Sequence, residues 1–169
     1  QKIDLEAQHR QDQALALHHR IDDKGKRHHT QEHHTTHALT TEKAPIVRDI
    51  ATEGLNKREA THVIANQAII AGQQGVMETA VRDSHTTHTE TTVKKRGTCG
   101  IGGSSKTTTT QTMATQSRGH MVEAYTAGAK ATVTYAAPEG SILLQQLTLG
   151  QNVLAQLMAG GDIYFKAGE

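Results

Sequence analysis

The sequence predicts an all-β fold: a parallel β-helix or solenoid fragment, expected to be right-handed, with projecting Thr- and His-rich β-hairpin excursions. Three observations point there. The C-terminal segment repeats with a ten-residue period, as "GSILLQQLTL" (140–149), "GQNVLAQLMA" (150–159) and "GGDIYFKAGE" (160–169). The apolar residues are small aliphatics; aromatics make up 2% of the chain and glycine contributes 15 of its 169 residues. A thin core of this kind suits units that bury a face only against their neighbours. Finally, long Thr-rich stretches favour exposed strands, because a β-branched side chain sits well on a pleated surface.

Within the period, Gly140, Gly150 and Gly160 open each unit, and Asn152 or Asp162 adds turn chemistry. The fourth position holds Leu143, Val153 and Ile163, and the eighth holds Leu147, Leu157 and Ala167. Two strand–turn units make one coil in this reading. Residues about twenty apart then stack, with Leu143 on Ile163 and an inward set of Leu143, Leu147, Val153, Leu157, Ile163 and Phe165. The competing arrangement is an antiparallel meander with ten-residue spacing. The Gly-led turns lack the Asn-Gly type of dipeptide that a tight hairpin prefers, so the parallel form is the expectation.

The rest of the chain divides around these units. Residues 1–42 are an N-terminal segment with a His-rich excursion from about Asp22 to Glu42. Its first twenty residues, "QKIDLEAQHRQDQALALHHR", read either as an amphipathic helix or as a poor strand, "KIDLEA", before an excursion. Residues 43–82 hold weaker rungs, in "APIVRDIAT" and "THVIANQAIIAGQQGVMETAV". Residues 83–119 form a second excursion: a strand "HTTHTETTV", a basic Gly-rich turn "KKRGTCGIGGSSK" and a strand "TTTTQTMATQ". Residues 120–169 return to rungs. The opening lacks an apolar signal core and a starting Met, which reads as an internal piece of a longer or processed protein.

The second excursion, "HTETTVKKRGTCGIGGSSKTTTTQ", and the later "GSILLQQLTLGQNVLAQLMAGGDIYFKAGE" resemble the haemagglutinin repeats of filamentous-haemagglutinin-type exoproteins, the passengers of bacterial two-partner secretion. Contact-dependent growth-inhibition effectors belong to that group. The resemblance covers about residues 83–169, and "GSILLQQLTLGQN" only approximates the family's rung spacing. It implies a β-helical rod of a secreted or cell-surface adhesin or toxin-delivery protein. Its partners would be other segments of the same long chain and a target cell surface or another protein chain.

Charge excludes some functions. Lys and Arg number 18 against 17 acidic residues, so nothing draws the chain to nucleic acid. No stretch approaches the roughly 18 apolar residues a membrane helix needs. "GTCGIGGSSK" lacks the Gly-Lys-[Ser/Thr] ending of a phosphate-binding loop. Cys99 has no neighbouring base, and no nucleophile elbow is present. No enzyme and no cofactor are expected. The residues expected to meet a partner are His85, Thr86, His88, Lys94, Lys95, Arg96 and Lys106.

The twelve histidines support a second reading, a His-rich metal-binding protein of the bacterial surface or periplasm. Its ligands would come from His33, His34 and His37 in "HHTQEHHTTH" (28–37). On a strand His34 and His37 face opposite sides, which argues against one shared metal and for a solvated excursion with weak zinc binding.

Overall fold

The computed structural model describes residues 1–95, 103–124 and 130–166. Among these every regular element is a strand. No helix is present among the described residues, so none is long and apolar enough to cross a membrane. The chain divides into two compact units, one of Gln1–Leu15, Ala38–Val81 and Ser117–Glu169, the other of Ala16–His37 and Arg82–Gln116.

The first unit is built from three parallel ladders. The first ladder runs β1 (Lys2–Ala7), β6 (Ile46–Ala51), β9 (Gln67–Gly72), β14 (Ala131–Ala137) and β17 (Val153–Ala159). The second runs β2 (Arg10–Asp12), β7 (Leu55–Glu59), β10 (Gly75–Thr79), β15 (Ser141–Gln145) and β18 (Ile163–Lys166). The third runs β5 (Thr41–Lys43), β8 (His62–Ile64), β13 (Met121–Glu123) and β16 (Thr148–Leu149). The chain visits them in a fixed order: third, first, second, then third again. Val47 pairs with Ala68, Asn56 with Val76, Ile142 with Ile163 and Val133 with Ala155, so in the first and second ladders partners stand 20 to 22 positions apart wherever no long segment intervenes. The parallel pairing excludes the antiparallel meander, and "KIDLEA" at the N-terminus is a strand, β1, with no helix around it.

Corners are set by close backbone approach. A Cβ built on Gly140 would lie 1.9 Å from the Gln74 carbonyl oxygen, so only glycine lets these stacked turns meet. At Gly150 the nearest atom is 3.4 Å away, ordinary contact distance, so that opener is not sterically demanded. Where no long segment intervenes, the link from the second ladder to the third is two residues, Ala60–Thr61 or Gln146–Leu147. Its first residue turns left-handed, with φ of 46° at Ala60 and 53° at Gln146.

Alternation along the strands fills the core. Val47, Ala68, Ile70, Val133, Tyr135, Ile142, Leu144, Val63 and Val122 are buried to 1% exposure or less. Each such aliphatic contributes about 1.5–3 kcal/mol by leaving water. The expected phase of β15 is off by one residue. Ile142 and Leu144 point inward, Leu143 is only half-buried between them, and Leu143 pairs with Tyr164 while Ile142 pairs with Ile163. Ile163 and Phe165 share the inward side but lie on the outermost strand of their ladder, 40% and 65% exposed, and so are not core. Leu147, Val153 and Leu157 are partly buried against the core, in line with the expectation.

The second unit is one four-stranded sheet in the order β12 (Ser104–Arg118), β11 (Val81–Lys95), β4 (His28–Ala38), β3 (Leu15–Lys24). Its central pair, β4 and β11, is antiparallel. Among the described residues, no buried apolar side chain lies in 16–37 or 82–116. Among the described residues this sheet therefore rests on its ladder hydrogen bonds and cross-strand side-chain pairs.

Candidate functional site

The two "HTTH" copies lie on adjacent strands. Antiparallel register puts His85 directly opposite His34, with Glu32 opposite Thr87 and Gln31 opposite His88. The His34 and His85 rings stack, with centroids 3.9 Å apart and planes 20° from parallel. Glu32, two positions from His34 on the same strand, shares its face because side chains alternate. Its Oε2 lies 3.1 Å from His34 Nε2 and 3.7 Å from His85 Nε2. The three ligand-type atoms fall within 4.8 Å of one another. The ring of His19, on β3, meets that of His34 edge-on at 6.2 Å. This cluster is where the described residues best hold a metal.

The anticipated trio of His33, His34 and His37 is not brought together. His33 is opposite Thr86 in the register and exposed, on the other face from its neighbour His34. His37 turns to Asp83, whose Oδ1 accepts from the His37 backbone N–H and lies 2.9 Å from its Nδ1. Of the trio, only His34 is in the cluster.

The partner-contact residues also divide. His85 belongs to the cluster face. Thr86 and His88 belong to the other, where His88 Nε2 meets Glu90 at 3.4 Å. Lys94, Lys95 and Lys106 are exposed near the ends of β11 and β12. Arg96 and Cys99 lie outside the described residues.

A second polar cluster, which sequence reasoning missed, is buried in the first unit. Arg58, with no exposed side-chain area, donates Nη1 to Asp49 at 2.9 Å and Nη2 to Glu42 at 3.0 Å, and its Nε lies 3.1 Å from Glu78. Arg10 donates to the other Asp49 oxygen at 2.8 Å. Thr61 bridges Arg58, Glu78 and His120 Nδ1. Two guanidinium groups face three carboxyls, which leaves one carboxyl in surplus. Burial pushes Glu78 up to about 7, against the pull of Arg58. It raises Glu42 as well. His120 is held well below its ordinary value by burial and then by Arg58. Burial also works against the Arg58 charge, but Glu78, Glu42 and Asp49 outweigh it and keep the guanidinium protonated. Alternation in "IVRDIA" carried the signal, since Asp49 falls in phase with Val47 and Ala51.

No family model, curated protein or solved structure matches this chain.

Proposed function

We propose that the chain is a non-enzymatic, right-handed β-helical segment of a secreted or surface-exposed bacterial adhesin or toxin-delivery exoprotein. In this reading the three parallel ladders are the faces of the β-helix, and the Thr/His-rich sheet meets a cell surface or another protein chain. The observation that carries it is the cyclic visiting of the ladders, at a spacing of 20 to 22 residues in the first and second ladders wherever no long segment intervenes. Such a stack buries its rungs on one another and needs no large aromatic core. The contact role is supported by the second unit, whose outer strands β3 and β12 are exposed along most of their length. An exposed strand edge is a template for pairing with another chain.

The test is deletion of residues 85–111. The shortened chain keeps its strand-rich circular dichroism and cooperative unfolding, while labelled protein loses binding to bacterial cells. Binding that survives the deletion removes the contact role. Hydrolytic turnover by the purified chain removes the scaffold reading.

A further inference from the structure

The sequence alone predicts no cofactor, and the histidine trio of its second reading, His33, His34 and His37, is dispersed by the fold. The register of β4 on β11 assembles a different set. We propose that Glu32, His34 and His85 form a binding site for a zinc-class divalent cation that ties the two central strands of the four-stranded sheet together.

The donor chemistry fits. Two imidazoles and one carboxylate are a common set of three protein ligands for zinc, with a fourth position left for water or another side chain. The spacing fits too. Zinc holds nitrogen and oxygen at about 2.0–2.2 Å, so ligand atoms on a tetrahedron stand about 3.3–3.6 Å apart. Glu32 Oε2 stands 3.1 Å from His34 Nε2 and 3.7 Å from His85 Nε2, which brackets that edge. Both histidines already present Nε2 to the same carboxylate oxygen, so no backbone movement is required.

Two adjustments accompany binding. Rings stacked 20° from parallel aim their lone pairs side by side, so each tilts toward the metal. Their side chains are 32% and 45% exposed, which leaves room for that rotation. His85 Nε2 also exchanges its 3.2 Å contact with the Thr87 hydroxyl for the ion. His19 on β3 is placed to supply the fourth ligand after a rotamer change, or water fills that position.

The benefit falls where the fold is weakest. Beyond Val81 at the start of β11, none of the buried apolar residues among those described lies in the four-stranded sheet, and His34 and His85 are 51 positions apart in the chain. An ion bound by the folded sheet and not by the separated strands stabilises it by mass action. The site is independent of the scaffold reading, because it concerns one sheet and makes no use of the parallel ladders.

The experiment is calorimetric titration of the full chain with zinc chloride after removal of trace metal, with cobalt(II) absorption as a geometric readout. The expected result is one tight equivalent and visible d–d bands of four-coordinate cobalt. His34→Ala, His85→Ala and Glu32→Gln each weaken that equivalent at least tenfold, while His33→Ala combined with His37→Ala leaves it unchanged. Circular dichroism of each variant checks that the sheet persists. Should a variant unfold, His85→Gln, which keeps the side chain polar and removes the ligand nitrogen, replaces it. The proposal is overturned if the wild type takes up zinc only weakly over several equivalents, if binding survives His85→Ala, or if the His33/His37 variant abolishes it.

Discussion

His34 and His85 stack at 3.9 Å although 51 residues separate them in the chain. Their contact pins the register of β4 on β11, because a slip of one residue would move every side chain to the opposite face. Aromatic pairs in such contact couple by about 0.5–1.5 kcal/mol beyond buried area, and half-exposed rings belong at the lower end. A double-mutant cycle of His34→Ala and His85→Ala in chelator-treated buffer is therefore expected to give about 0.5 kcal/mol. Urea unfolding followed by a probe within residues 16–37 measures it; strict additivity would mean that the stack carries no energy.

The buried guanidinium is expected to dominate the stability of the first unit. Replacing Arg58 with Met leaves Asp49, Glu42 and Glu78 without their shared partner. Removing one member of a buried ion group typically costs about 3–5 kcal/mol, because the remaining charges stay desolvated. Chemical denaturation of Arg58→Met should show a loss of that order, and a loss below about 1 kcal/mol would mean that the network is solvated.

Glu78 sets a pH dependence with a defined sign. Its carboxyl is raised in the fold from 4.5 to about 7, so the protonated form is the one that folding favours. That contribution is complete below about pH 4.5 and fades as the pH rises through 7. A shift of this size corresponds to about 3 kcal/mol. His120 acts in the opposite sense, since its depressed value removes stability as the pH falls below 6.5. The informative quantity is therefore the difference between wild type and Glu78→Gln. Wild type should lose stability relative to the variant between pH 4.5 and 7, read from urea midpoints across that range. A difference that stays constant with pH would contradict the assignment.

The glycine openers are expected to differ. Gly140→Ala places a methyl 1.9 Å from the Gln74 carbonyl oxygen and should cost about 2 kcal/mol or more. Gly150→Ala meets nothing closer than 3.4 Å and should be neutral, or stabilising by about 0.5 kcal/mol through the unfolded chain. Thermal melts of the two variants compare them directly, and equal losses would show that the turns do not stack as described.

The phase of β15 gives a further contrast. Ile142→Ala opens a cavity at a fully buried site and should cost about 2–5 kcal/mol. Leu143→Ala, on the half-buried side, should cost less than half as much. The reverse ranking, in urea unfolding, would restore the inward set expected from the sequence.

The strand-and-turn rhythm and the parallel pairing were legible because the Gly-led period constrains both. The phase was not, since "SILLQ" places three apolar residues in succession and alternation cannot choose between Ile142 and Leu143. Their ladder partners decide it: Ile142 lies beside Val76 and Leu144 beside Glu78, both inward. Arg58 was missed because a charged residue is ordinarily solvated, and only three carboxyls from three other strands make its burial tolerable. The Glu32–His34–His85 cluster depends on a register between distant segments, which no local spacing reveals.

The parallel ladder is the claim on which the rest stands, and cysteine cross-linking tests it most directly. Thr132 pairs with Leu154, Thr134 with Gln156 and Ala136 with Met158, all at the same offset. Neighbouring strands lie about 4.8 Å apart, within the Cα range that a disulfide accepts. Three double-cysteine variants, one for each pair, are made with Cys99 replaced by Ser and oxidised while folded. All three are expected to cross-link with similar yield. Antiparallel pairing of these segments would bring at most one of the three pairs together, and that result would contradict it.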